Sequence, residues 1–201
     1  MTQYLPIHMR TKVEASRHTL VVNTCTDNDT DKIGTKNAWS WSNPTNRAVP
    51  VAIPGTDHFA TSVEALWQGS KVLPGTPGLW RDDEGRWRLS EANFMQANHA
   101  TLFGDWRRAK GWKPVGAWVG EGLPLVSDPI EARRRVYLPA YAAQLREMVK
   151  HPEVRAMLVR ARGYETVYLR DHNTGGIEDR RGMSHAYLLA GWLTNKEFPA
   201  T

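Results

Sequence analysis

Glu64, Gln68 and Lys71 stand at i, i+4 and i+7 within the run Thr61–Leu73, TSVEALWQGSKVL. At about 100° per residue, that spacing stacks a carboxylate, an amide and an ammonium on one narrow stripe of a helix. Val63, Leu66, Trp67, Ser70 and Leu73 flank the stripe on one side, and Ala65, Gly69 and Val72 on the other. A surface helix ordinarily presents a broad charged face instead. The pattern therefore fits either a largely buried helix whose polar stripe lines a pocket or a short amphipathic one. A carboxylate so placed can deprotonate water or steady a developing positive charge. Thr61-x-x-Glu64 also fits a capping box, in which Glu64 would reach back to the N-cap amide.

The elements that must position this stripe follow from the flanking residues. Thr61 or Ser62 is the expected N-cap, and Pro74-Gly75 the expected stop, giving a helix of about three turns. Upstream, Leu20–Thr26 reads as a strand rich in β-branched residues, and Val49–Ile53 as a second. Asp27–Lys36 reads as a solvated loop: Asp27, Asp29 and Asp31 alternate like calcium ligands, but the glycine and glutamate that complete an EF-hand are missing. Cys25 could serve as a nucleophile only with a base beside it. The sequence places none there, so it is expected in the core. In Ala38–Pro44, Trp39 and Trp41 at i, i+2 of an extended segment would face one way, as an aromatic wall or as core filling. His8 and His18 are expected at the surface.

From Pro74 to Pro129 the chain carries Trp80, Trp87, Trp106, Trp112 and Trp118 interleaved with Arg81, Arg86, Arg88, Arg107, Arg108, Lys110 and Lys113. Such a mixture suits either a stacking platform for bases or a loop that packs its own aromatics. Ser90–Thr101 is expected to be helical and Gly104–Gly122 irregular. Asp128-Pro129 opens a helical region over Glu131–Lys150 that Pro139 should start or kink; Arg133-Arg134-Arg135 on it reads as a solvated face. Pro152 suits the first turn of a helix to about Arg162, with Val154, Met157, Leu158 and Ala161 inward. Thr166–Arg170 alternates as a strand, and Asp171 through Gly175-Gly176 turns sharply. Met183–Leu193 closes the chain as a helix, with Met183, Ala186, Tyr187, Ala190 and Leu193 facing inward.

Lys+Arg of 26 against Asp+Glu of 21 gives the 201 residues a net charge of +5, suited to a phosphate-bearing ligand or nucleic acid without requiring either. One cysteine excludes an internal disulfide framework and fits a reducing compartment. No apolar run reaches the roughly 18 residues a membrane span needs, and the start carries no signal-peptide pattern. The chain reads as cytoplasmic, with no membrane partner.

Ser42-Asn43, Thr61-Ser62-Val63-Glu64 and Gln68-x-x-Lys71 together resemble the signature of the NADAR (YbiA-like) family, which runs Ser-Asn-Phe, Ser-x-Glu-His, Gln-x-x-Lys-Phe. His151-Pro152-Glu153-Val154-Arg155, Thr166–Asp171, Gly175-Gly176 and Gly182 through Leu189 resemble the family's later helix, closing strand, glycine loop and last helix. The resemblance implies a mainly α fold with a small β-sheet (α+β): an arm over 1–19, then one domain over 20–195 interrupted by the Trp/Arg-rich insertion at about 74–130. It implies hydrolysis of a ribose–nitrogen bond, either removing ADP-ribose from guanine in DNA or RNA or cleaving a phosphoribosylated pyrimidine intermediate of riboflavin synthesis. Glu64 would then be the catalytic carboxylate, with Asp171 its partner or a ribose-hydroxyl acceptor and Lys71 orienting Glu64 or meeting phosphate. Ser42, Asn43, Trp41, Gln68 and Gly175 would hold the substrate. The sequence departs from the family pattern at Pro44, at Ala132, at Glu147-Met148 and near Thr174, where aromatics or a Lys-Phe pair are usual; Trp118 or Trp112 would supply the missing ring. No metal-ligand spacing recurs, so neither metal nor cofactor is expected. The rival expectation is a catalytically inactive ADP-ribose or nucleic-acid binding module.

Overall fold

Val167, Leu169 and Asp171 share one face of a strand, and that alternation marks the centre of the main sheet. The computed structural model describes residues 1–25, 38–46, 49–72, 79–85, 87–89, 113–179 and 183–198. In chain order these carry β1 (Gln3–His8), β2 (Thr19–Asn23), a 3₁₀ turn (Ala38–Ser42), β3 (Val51–Ala52), β4 (Phe59–Ala60) and α1 (Val63–Ser70). There follow β5 (Lys71–Val72), β6 (Leu79–Arg81), β7 (Trp87–Leu89), β8 (Gly116–Ala117) and α2 (Pro129–Ala132). A π-type turn (Arg133–Tyr137) leads into α3 (Leu138–Met148), then α4 (Pro152–Ala161), β9 (Thr166–Asp171) and α5 (His185–Asn195). The chain is α+β, as the sequence implies. It divides into two compact units, Met1–Asn43 with Leu145–Thr201, and Pro44–Gln144. Among the described residues no helix is long and apolar enough to cross a membrane.

In the first unit β9 lies between β1 and β2, parallel to both, so that Tyr168 is level with Leu5 on one side and Val21 on the other. The segment expected as an arm therefore contributes an edge strand. Its polar sequence hid this, because one-sided burial at an edge needs few apolar residues. α5 packs on β1 and β9, burying Ala186, Leu188, Leu189 and Ala190. Met183, Tyr187 and Leu193 are only half-buried, so the inward face is rotated from the one expected. α4 buries Val154, Met157, Leu158 and Ala161, the four residues its periodicity singles out. His18 is exposed, as expected, and pairs with Glu165 at 2.8 Å.

Trp39 and Trp41 do not face one way. They sit in the 3₁₀ turn, where three residues per turn set i and i+2 about 240° apart. Trp39 is fully buried, while Trp41 lies half-exposed against the His151 ring, centroids 3.9 Å apart.

In the second unit α1 is shorter than expected. Ser62 is its N-cap, the Oγ accepting from the Ala65 amide at 3.0 Å. Glu64 thus occupies the second helical position and no capping box with Thr61 forms. The helix ends at Ser70 because Lys71 and Val72 leave it to pair antiparallel with Ala117 and Gly116, and the Trp118 amide takes the Ser70 carbonyl at 2.8 Å. Ser62→Ala should cost about 1 kcal/mol, the usual worth of such a cap, read as a lower denaturant midpoint; an unchanged midpoint would show that Ser62 is not the cap that matters. Further along, Asp128 caps α2, its Oδ1 accepting from the Ile130 amide at 3.1 Å. Pro139 has no N–H to give the Arg135 carbonyl, and the preceding turn widens, the Leu138 amide reaching back to Arg133. Arg134 and Arg135 are exposed, as a solvated face should be, and Arg135 bonds Glu131 at 2.6 Å. Within the expected insertion, β6 and β7 form a hairpin closed by Gly85 at φ 75°, and Arg88 ties its Asp82 at 2.9 Å and also reaches Glu121. Asp27–Lys36, Pro74-Gly75, Arg86, Ser90–Trp112 and Gly182 lie outside the described residues.

Candidate functional site

The second unit holds the Glu64 stripe as the spacing foretold. The Gln68 amide donates to Glu64 Oε1 at 2.5 Å, and Lys71 Nζ donates to Gln68 Oε1 at 2.8 Å. Glu64 and Lys71 are therefore linked through one oriented amide. Lys71 Nζ also stands 4.9 Å from the centre of the Trp67 ring, which in turn meets Tyr137 edge-on at 6.1 Å. Val63, Ala65, Leu66, Gly69 and Ser70 are buried, while Glu64, Trp67 and Gln68 keep partial exposure. Trp118 is 2% exposed in the core of this unit. A ring so enclosed has no open face on which a ligand could stack.

Ser42, Asn43, Trp41, Asp171 and Gly175 belong to the first unit. Ser42 is fully buried, its hydroxyl donating to the Trp39 carbonyl at 2.6 Å. Asn43 Nδ2 donates to the Cys25 carbonyl at 2.6 Å. Gly175 lies so close to Asp179 that an added Cβ would stand 2.0 Å from its carboxylate; the glycine lets this loop fold on itself.

Asp171 is the centre of a cluster that sequence reasoning missed. It ends β9 with its carboxylate on the inward face, beneath the first turn of α5. Oδ2 accepts from Ser184 Oγ at 2.7 Å, from His185 Nδ1 at 3.1 Å and from the Ala186 amide at 3.3 Å. Oδ1 accepts from the His172 amide at 2.6 Å and from Cys25 Sγ at 3.2 Å. With both oxygens engaged, Asp171 positions other groups. Burial disfavours its charge, but hydrogen bonds from His185, Ser184 and Cys25 and the His185 charge outweigh that and hold it well below the ordinary carboxylate range.

His185 carries both its ring protons. Nδ1 faces a carboxylate that can only accept. Nε2 lies 2.9 Å from Thr24 Oγ1, whose single proton goes to the Arg170 carbonyl at 2.8 Å, and 3.2 Å from the Thr24 carbonyl. The Thr24 hydroxyl and carbonyl oxygens beside Nε2 must therefore accept. Burial opposes the imidazolium, yet hydrogen bonding to Asp171 and Cys25 and the Asp171 charge raise its pKa to about 10.

Cys25 is no core residue. It is half-buried, just beyond β2, with Sγ 3.9 Å from His185 Nε2. Its amide donates to Asn23 Oδ1 at 2.8 Å and its carbonyl accepts from Asn43, so side chains fix its backbone on both sides. The histidine that the local sequence did not show beside Cys25 arrives from 160 residues away, as an imidazolium. The only foreshadowing was the parity of Asp171 with Val167 and Leu169, which puts a carboxylate where an apolar residue is usual. Cys25, Asp171 and His185 each offer a donor atom within 4.8 Å of the others, a spacing that could also hold a metal ion.

No curated protein matches the chain, and no solved structure does. Residues 35–189, which include Asp171 and His185 but not Cys25, match a family of unknown function, DUF6939, and the chain belongs to that family.

Proposed function

We propose that the chain is a metal-independent N-glycosyl hydrolase acting on a ribose–nitrogen bond, with ADP-ribosylated guanine in nucleic acid or a phosphoribosylated pyrimidine as its substrate class. The observation that carries this reading is the hydrogen-bonded line Glu64–Gln68–Lys71, in the residue order that resembles NADAR proteins. Cleavage at the ribose C1 builds positive charge there, and Glu64 is the carboxylate to stabilise it or to deprotonate the attacking water. Gln68 keeps Glu64 aimed, and Lys71 meets phosphate. A cytoplasmic location fits the single thiol.

The alternative, an ADP-ribose or nucleic-acid reader without turnover, is favoured by one observation: both Asp171 oxygens already accept hydrogen bonds, which removes the second carboxylate from direct chemistry. Incubation with ADP-ribosylated DNA and with phosphoribosyl pyrimidines, followed by mass spectrometry of the products, separates the two. Released base or ribose supports the hydrolase. Binding without turnover selects the reader, and neither binding nor turnover removes both.

The net charge of +5 leads to a further expectation. Binding to ADP-ribosylated DNA should weaken linearly on a log–log salt plot, and changing both Arg107 and Arg108 to Ala should lower the slope by about 1.5 to 2. An unchanged slope would take these residues out of phosphate contact.

A further inference from the structure

The carboxyl ends of parallel strands are where open sheets with crossover helices place their ligands. Here β9 and β2 end side by side, with Asp171 on one, Cys25 just past the other and the first turn of α5 beside them. We propose that Cys25, His185 and Asp171 form a second site, a covalent one, in which Cys25 Sγ adds to the electron-poor carbon–carbon double bond of a conjugated carbonyl compound. This rests on residues of the first unit and not on the Glu64–Gln68–Lys71 line that carries the hydrolase reading.

Three features of the cluster suit a reactive thiol: partial exposure, an imidazolium 3.9 Å away, and the start of an eleven-residue helix beside it. The order is that of a nucleophile, a positively charged ring that steadies its thiolate, and a carboxylate that aims the ring. Held at both amide and carbonyl by Asn23 and Asn43, Cys25 is also fixed more firmly than a packing thiol requires.

Addition suits the site better than acyl transfer. An acyl intermediate needs free amides for its oxyanion, whereas the Ala186 amide already serves Asp171 and the Tyr187 amide serves Ser184 Oγ. Addition needs one proton delivered. The S–H bond breaks as the S–C bond forms, and the alkene π pair moves to the adjacent carbon. The thiol proton passes to water at the half-buried Cys25, the His185 imidazolium steadies the negative sulfur, and water returns one proton to that carbon, so only a thioether is gained. A metal ion is the less suited occupant, since it would have to displace the proton His185 gives Thr24 and compete for an Asp171 carboxylate that already accepts five donors.

N-Ethylmaleimide tests this directly, because Cys25 is the chain's single cysteine and an intact-mass shift reads it alone. At about pH 6, where an ordinary thiol is almost wholly protonated, the folded chain should label at least about tenfold faster than the same chain unfolded in guanidinium chloride. His185→Gln, shown by circular dichroism to be folded, should lose most of that advantage. Labelling of the folded chain no faster than the unfolded one overturns the proposal, and so does a folded His185→Gln that labels at the wild-type rate. The comparison of folded with unfolded wild type needs no variant, so it decides even if His185→Gln does not fold.

Discussion

Glu64→Gln should lower turnover of a ribose–nitrogen substrate at least about a hundredfold, the scale of losing a general base, while the fold barely changes. The reason is local. Ser62, not Glu64, caps α1. The amide oxygen of a glutamine at 64 can still accept from Gln68, so the line to Lys71 survives. What goes is the negative charge, which in the first turn of a helix is worth about 0.3–1 kcal/mol through the dipole. A hundredfold in rate is about 2.7 kcal/mol of transition-state stabilisation. The kinetic loss should therefore exceed the stability loss severalfold, and steady-state kinetics with denaturant melts of both proteins measures each. Turnover near wild type would remove Glu64 from the chemistry. A stability loss of several kcal/mol with proportionate loss of activity would make it structural.

Asp171→Ala should destabilise the chain by about 3–5 kcal/mol, the cost of stripping one partner from a buried ion pair. His185 is 11% exposed and its imidazolium would be left uncompensated, while Ser184 Oγ and the Ala186 and His172 amides would lose an acceptor. Asp171→Asn keeps the shape and part of the bonding but not the charge, so it should cost less than Asp171→Ala and more than nothing. Equal denaturant midpoints for wild type and Asp171→Ala would contradict the ion pair.

The pH dependence of this contribution is fixed by the two shifts. Asp171 is held below its ordinary 3.8 in the folded chain, so its contribution is complete above that value and is lost as pH falls through the lower folded one. His185 is raised from 6.5 to about 10, so its contribution is complete below 6.5 and is lost as pH rises through about 10. The gap between wild type and Asp171→Ala should be widest between those ordinary values and should narrow on either side. A gap that is flat from acid to about pH 10 would show that His185 is not held charged by Asp171.

Much of the chain was legible because short-range rules suffice where a segment buries one face. Pro152 and the spacing of Val154, Met157, Leu158 and Ala161 define α4. The alternation over Thr166–Arg170 defines β9 to within one residue, Asp171 ending the strand where a turn was expected to begin, and the i, i+4, i+7 spacing of Glu64, Gln68 and Lys71 defines a hydrogen-bonded stripe that the fold indeed forms. Where α1 stops was not legible, since Lys71 and Val72 leave the helix to pair with Gly116 and Ala117, a partner far along the chain. The backbone of Ala38–Ser42 decided against one aromatic wall, because the same two tryptophans diverge in a 3₁₀ turn and would align in a strand. The placing of Cys25 was beyond any local reading. Its amide, carbonyl and thiol neighbours come from Asn23, Asn43, Asp171 and His185, and what gathers them is the parallel pairing of β2 with β9 and the return of α5 onto the sheet. Periodicity records which face of a segment is buried; it carries no record of which distant strand lies beside it, because that choice is made by contacts that form only in the folded chain.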